Sequence, residues 1–251
     1  GGAHTMDAFA SFRPQWVEPI TKNYRGYTLH ELPPNGQGIA ALMAVGLLEH
    51  FDLKGLGCDS VASQHLQIEA MKLAFADLYH YVADPASMTV SASQLLDADY
   101  LSARAKLIDP NRATHFGPGV PDAGGTIYLS AADESGMMVS FIQSNYMGFG
   151  SGVVLPDAGI SLQNRGAGFS MDPASPNVVA GRKRPFHTII PAFLSRQGQP
   201  VMSFGVMGGD MQPQGHLQTL VRMLDYDQQP QAACCAPRWK VNRDFTLDVE
   251  S

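Results

Sequence analysis

Cysteine is scarce in this chain: three among 251 residues, with Cys234 and Cys235 adjacent. That count excludes a readable disulfide framework, and no pair has the spacing of a zinc site. An odd, sparse set of thiols fits a reducing compartment, so a cytoplasmic location is expected. Charge is scarce as well. Only 16% of the residues are Asp, Glu, Lys or Arg, and the formal net charge is -6. The basic residues cluster only at Arg182-Lys183-Arg184, so no nucleic-acid surface is expected. No apolar run approaches the ~18 residues that a membrane span requires. No charged-then-apolar leader opens the chain, which begins Gly1-Gly2-Ala3-His4. Both ends read as cut from something longer. What the sequence does have is 45% hydrophobic residues, enough for a sizeable core in one large domain or two small ones.

Taken in order, residues 5–26 are mixed, and residues 27–32 alternate as a strand does. Pro33-Pro34-Asn35-Gly36-Gln37-Gly38 is a rigid-then-flexible loop whose glycines would let another backbone or a ligand approach. Residues 39–51 have the composition and spacing of a helix. Asp59-Ser60 can cap a second helix over 61–82, with Leu66, Ala70, Leu73, Ala74 and Leu78 as its apolar stripe. His65 and Glu69 lie one turn apart, but not in the order of a metalloprotease helix, and no metal site is assigned. Residues 97–108 predict a further short helix. Residues 110–125 are rich in Pro, Gly, Asp and Asn and read as a flexible linker. It is the one clear composition boundary, and it ends at Thr126. Strands over 126–132 and 137–143 then flank the turn Asp133-Glu134-Ser135-Gly136. Residues 159–163 are strand-like. Residues 188–194 and 200–204 read as a second antiparallel pair, and 216–224 as a helix. The first half supplies helices and the second mostly antiparallel strands, which is an α+β chain with helices packed on a sheet core.

Two nucleophile and phosphate motifs are excluded. Gly148-Phe149-Gly150-Ser151-Gly152 lacks the lysine of a phosphate loop, and Phe149 occupies the first glycine position of a serine nucleophile elbow. Thr126, directly after Gly124-Gly125, is either an ordinary first strand residue or a nucleophile. A threonine exposed by chain cleavage carries its own base, the freed α-amine, whose reference pKa of about 7.7–8.0 suits a general base. Gly208-Gly209, just before a helix, could offer backbone N–H groups to a tetrahedral oxyanion.

The ordered run Thr126, Asp133, Gly136, Gly148 to Gly152, Lys183-Arg184-Pro185 and Gly208-Gly209 resembles the γ-glutamyltransferase family of N-terminal nucleophile hydrolases. Trp16-Val17-Glu18-Pro19-Ile20 and Glu69-Ala70-Met71-Lys72 extend the resemblance over nearly the whole chain. It implies a proenzyme that cuts itself between Gly125 and Thr126, and a four-layer αββα sandwich. Residues 1–125 would be the C-terminal part of a large subunit and 126–251 the N-terminal part of a small, catalytic one. The whole would be a self-processing threonine amidohydrolase or acyltransferase acting on a small amide, without metal or organic cofactor, in a possible further homo-oligomer. The resemblance makes Thr126 the nucleophile, Ser144 the partner of its amine, and Gly208 and Gly209 the oxyanion hole.

Five positions depart from the family pattern. Tyr146 stands at its glutamate-binding asparagine, Arg165 at its glutamine and Gly168 at the aspartate that grips an ammonium. His187 and Thr188 replace its paired serines. These departures resemble the cephalosporin-acylase-like and oxamate-amidohydrolase-like branch. They predict that Tyr146, Arg165, His187 and Thr188 receive a carboxylate-bearing amide rather than a γ-glutamyl one. Glutathione hydrolysis, and a non-catalytic family member acting as a binding protein, stand as the alternatives. Gln214 and His216 are expected to pack the helix rather than line the pocket.

Overall fold

The computed structural model describes residues 4–114 and 125–251. Its helices are α1 (Met6–Ser11), α2 (Gly38–Leu48), α3 (Val61–Tyr81), α4 (Ala92–Leu95), α5 (Ala98–Ala105), α6 (Met211–Leu224) and α7 (Pro230–Cys235). Its strands are β1 (Ile20–Tyr24), β2 (Tyr27–Glu31), β3 (Gly125–Ala132), β4 (Met138–Tyr146), β5 (Val154–Leu155), β6 (Ile160–Ser161), β7 (Ala192–Arg196), β8 (Gln199–Phe204), β9 (Trp239–Val241) and β10 (Leu247–Val249). The mixed helix-and-sheet class agrees with the sequence.

Helix α2 is the centre of the core. All eleven of its residues are buried, and it is apolar on every side. Such a helix has no solvent face to satisfy and must be enclosed; here β1, β2, α3, α5 and α6 surround it. Helix α3 starts where the sequence places it, with the Ser60 hydroxyl accepting from Ser63 N. Its predicted stripe, Leu66, Ala70, Leu73, Ala74 and Leu78, is buried against α2.

Four antiparallel strands form a sheet in the order β1-β2-β7-β8. The strand expected over 27–32 is β2, and β1, within the stretch read only as mixed, pairs with it, so the first half supplies half of this sheet as well as helices. The β3–β4 hairpin is a separate pair docked beside it. The Ser140 hydroxyl reaches the carbonyls of Ala192 and Phe204 at 2.8 and 3.3 Å and lies 2.9 Å from the Tyr128 hydroxyl. Side chains alternate across the hairpin. Its inner face holds Tyr128 and Ser140, while Ile127, Leu129, Val139 and Phe141 share an exposed outer face.

Three predicted boundaries move. The strand expected over 188–194 begins only at Ala192. Before it, Thr188 O accepts from the Gln37 side chain and Ile190 N donates to that of Gln212, so side-chain amides replace ladder partners. The strand-like stretch 159–163 pairs only over Ile160–Ser161. Helix α6 starts at Met211, earlier than 216, because Pro213 falls in the first turn, where a missing N–H costs nothing. Of the expected linker 110–125, residues 115–124 lie outside the described residues.

Candidate active site

The hairpin positions Thr126. Gly125 pairs with Tyr146 and Ile127 with Gln143, with an irregularity between them. The bulge is therefore on β4, at the Ser144–Asn145 step, and half-buried Thr126 stands opposite it. Bulges re-aim a side chain and interrupt the ladder locally. Across from Thr126, the Ser144 hydroxyl accepts from Tyr146 N at 2.9 Å. Tyr146 holds φ +76°, a conformation that costs energy for a bulky residue, and is buried. The two residues that the sequence singles out on β4 thus form one local turn beside the threonine.

The glycine pair approaches from the other sheet. Gly205, at the end of β8, lies against the Tyr128 ring, with which an added Cβ would clash at 2.4 Å. The loop to α6 therefore leaves β8 alongside β3, two residues past Thr126. Gly208 and Gly209 have φ of +109° and +59°, which glycine alone adopts without strain. Their carbonyls turn into the first turn of α6, accepting from Met211 N at 3.1 Å and Gln212 N at 3.2 Å. In a trans peptide the C=O and the following N–H point oppositely. The Gly208 carbonyl thus turns the Gly209 N–H away from the helix. Among the described residues, neither glycine N–H meets an acceptor.

Asp210, next in the chain, is held by Arg243 through two bonds of 2.7 and 3.1 Å. That guanidinium also lies 5.2 Å from the centre of the Tyr79 ring. Burial, then the Asp210 charge, pushes the Tyr79 hydroxyl well above its ordinary pKa. Helix α6 is further fixed by an amide ladder. Gln214 exchanges bonds with Val241 N and O at 2.6 and 3.0 Å, and Gln218 with Trp239 N and O at 3.0 and 2.9 Å. Four helical residues advance about 6 Å and two strand residues about 6.6 Å, so the glutamines act as a neighbouring strand for β9. His216 is fully buried, its Nδ1 at 2.7 Å from Glu31 Oε1. Burial raises the Glu31 pKa, with His216 opposing it. Gln214 and His216 pack the helix, as the sequence suggests.

Arg165, His187 and Thr188 converge. Arg165 is buried; its Nη1 donates to Thr188 Oγ1 at 3.3 Å, and its guanidinium lies 5.1 Å from the centre of the Tyr146 ring. Its Nη2 is buried with no partner among the described residues, and no carboxylate among them pairs with it. Burial lowers the Arg165 pKa, opposed only by Tyr146. The His187 ring is pushed down to about 4 by burial and then by the charges of Arg165 and Arg184, so it is neutral at pH 7. A cavity of about 290 Å³ opens here, lined by Arg165, Arg184, His187, Asn35 and Gln163 among others. A second, of about 960 Å³, is bordered by Tyr146, Tyr79, Phe169, Phe186 and Arg243. The Tyr146–Arg165 stack is the wall between them.

Sequence reasoning missed three contributors. Gln37 ties two of these segments together, and Arg243 holds Asp210; neither sits in a motif, and only the Pro33–Gly38 loop as a whole gave a signal. The third is the job of Glu69 and Lys72. They form a buried pair at 2.7 Å, and both grip the Thr114 backbone: Glu69 Oε2 accepts from Thr114 N at 2.9 Å, and Lys72 Nζ donates to Thr114 O. They anchor the chain eleven residues before Gly125. His65 lies 2.7 Å from Asp109 O, another anchor on the same segment. Among the described residues no helix is long and apolar enough to cross a membrane.

Comparison with known proteins gives this arrangement a family. The family model described as Gamma-glutamyltranspeptidase matches residues 1–251. The chain is 37% identical to the Glutathione hydrolase-like YwrD proenzyme of Bacillus subtilis, covering all of this chain and 47% of that protein. It is 38% identical to the Oxamate amidohydrolase proenzyme of Klebsiella pneumoniae, over 98% of this chain and 46% of that one. A solved structure of cephalosporin acylase from Bacillus halodurans superposes with a TM-score of 0.92 at 50% identity, over 99% of this chain and 45% of that one. The chain thus spans about half the length of the relatives it matches. With the family model matched along its whole length and these identities to the relatives, the chain belongs to the gamma-glutamyltranspeptidase family.

Proposed function

We propose that the protein is a self-processing threonine amidohydrolase, with residues 1–125 in one subunit of the cleaved proenzyme and residues 126–251 in the other. The observation that carries this is half-buried Thr126 at the mouth of β3, opposite the β4 bulge at Ser144–Asn145, with the chain that leads to Gly208 and Gly209 leaving β8 against Tyr128, two residues on. The proenzyme names of the relatives support the cleavage step.

The chemistry runs as follows. Thr126 Oγ first attacks the Gly125 carbonyl, shifting the acyl group from nitrogen to oxygen, and water hydrolyses the ester. This leaves Thr126 with a free α-amine, and Ser144 supports that amine. In turnover the amine takes the proton from Thr126 Oγ as the oxygen attacks the amide carbon. The Gly208 and Gly209 N–H groups stabilise the oxyanion. Collapse expels the leaving amine, which receives the proton, and water or an acceptor amine then takes the acyl group from Thr126.

The substrate side favours a carboxylate-bearing amide. A buried guanidinium is costly without an anion, and Arg165 lacks one among the described residues. A carboxylate bonded by Arg165, beside Thr188, Tyr146 and neutral His187, supplies it. The four-layer αββα sandwich belongs to the same reading, and the exposed apolar face of the β3–β4 hairpin supports a further covering layer. A cytoplasmic location is proposed with it, supported by Cys58, Cys234 and Cys235 being free.

Mass analysis of purified full-length protein tests the core of this. Two fragments are expected, the second beginning at Thr126, and Thr126→Ala should stay whole and inactive. A panel of oxamate, other short dicarboxylic monoamides, γ-glutamyl anilide and glutathione should favour the monoamides. A wild-type chain that stays uncut and inert on every amide would sink the reading.

A further inference from the structure

Resting on that reading, we propose that Gln37 is a positioning residue of the oxyanion hole, contributed by the half of the precursor that does not contain the nucleophile. Gln37 stands just before α2 and is fully buried. Its Nε2 donates to two carbonyls, Thr188 O at 2.6 Å and Gly209 O at 2.9 Å. Two carbonyl acceptors require the amide nitrogen at that end of the side chain. One side chain therefore joins the oxyanion loop to the segment that faces the substrate.

The backbone around Gln37 leaves little freedom. Asn35 Nδ2 donates to Pro185 O at 2.6 Å, His187 N to Asn35 O at 3.1 Å, and Gln37 N to His187 O at 3.2 Å. Gly36 lies flat on the His187 ring, where an added Cβ would meet Cε1 at 2.8 Å. Residues 35–37 are thus zipped to 185–188, and the Gln37 amide extends the zipper to Gly209.

What that amide controls follows from peptide geometry. Gly208 and Gly209 lack a Cβ, so the peptide planes that flank them reorient at little steric cost. The Gly208 carbonyl is held by Met211 N. The Gly209 carbonyl is shared by Gln212 N and Gln37 Nε2. The plane that Gln37 holds from outside the helix pairs the Gly209 carbonyl with the Asp210 N–H. It adjoins, at Gly209 Cα, the plane that carries the Gly209 N–H, and so limits how far that N–H can swing from the reacting carbonyl. Such preorganised donors act on the transition state more than on the bound substrate.

The test uses full-length protein with Gln37→Met, which keeps the volume and removes the donor, and Gln37→Glu, which sets an acceptor against two carbonyls. The substrate is the panel amide with the highest kcat/KM, and the probe is its boronic-acid analogue, which mimics the tetrahedral intermediate. In Gln37→Met, kcat is expected to fall about 10- to 100-fold, somewhat less than when an oxyanion donor is removed outright. KM should stay within about threefold. Boronate affinity should fall in parallel with kcat/KM, and Gln37→Glu should be worse on both. Unchanged kcat, or a rise in KM with kcat and boronate affinity retained, overturns the proposal. So does loss of the folded state in both variants, which would make Gln37 merely structural. A wild-type protein inert on the whole panel fails the amidohydrolase reading itself, a result seen before any variant is made.

Discussion

Replacing Arg165 with methionine separates a substrate anchor from a structural brace. Among the described residues the guanidinium makes one long bond, to Thr188 Oγ1 at 3.3 Å, and stacks on Tyr146. A neutral-acceptor bond of that kind contributes about 1 kcal/mol to stability. Against it stands a buried charge with no counter-ion among the described residues, a cost of several kcal/mol before relaxation. Arg165→Met fills similar space without the charge, so the melting temperature should hold or rise. Substrate should respond oppositely. A hydrogen bond to a charged group contributes about 1.5–3 kcal/mol. Its loss lowers kcat/KM about 10- to 150-fold for a carboxylate-bearing amide. The methyl ester of the same amide, which lacks the charge, should lose little. Steady-state kinetics on the two substrates, with thermal melting of both proteins, decides the matter. Equal losses on acid and ester, or a lower melting temperature with kcat/KM intact, would show that Arg165 only braces the 165–168 turn.

Two further outcomes rest on packing and protonation. The His187 ring is held near pH 4 in the fold against an ordinary value near 6.5. Its stabilising contribution is therefore complete above about pH 6.5 and is lost progressively towards pH 4, as the unfolded chain takes up the proton first; the full difference is about 3 kcal/mol. Urea unfolding at pH 7 and pH 4.5 should show a smaller loss for His187→Gln than for wild type, and identical losses would refute the assignment. Gly215→Ala pits helix propensity against contact. Alanine is favoured by about 0.8–1 kcal/mol within a helix, but here its Cβ would lie 2.6 Å from Val206 Cγ1, in the loop before Gly208 and Gly209. Overpacking of about 1–3 kcal/mol should win. The melting temperature should drop by several degrees, and a more stable variant would contradict the packing.

Local information sufficed where the chemistry is local. The Ser60 cap and the stripe on α3 are written in hydroxyl spacing and helical period, and both stand as read. The β3–β4 hairpin follows from alternation and a turn, since a strand's two faces repeat every second residue. Thr126, Gly208 and Gly209 stood out as candidates because a nucleophile that carries its own base, and an N–H pair before a helix, need particular residue types in a particular order. Strand 188–194 was misread for the opposite reason. Its backbone partners are the side chains of Gln37 and Gln212, distant in sequence, and no periodicity records them.

The sequence by itself determined the family, the α+β class and the threonine on which the chemistry is proposed to turn. Only the tertiary structure decided how these parts bear on one another. It buried Arg165 without a described carboxylate, pressed Gly36 on His187, and put the Gln37 amide between Thr188 and Gly209. These facts depend on which carbonyls and charges meet after residues some 150 positions apart are folded together. Burial makes each such meeting energetically decisive, because an unpartnered polar group in the interior cannot turn to water.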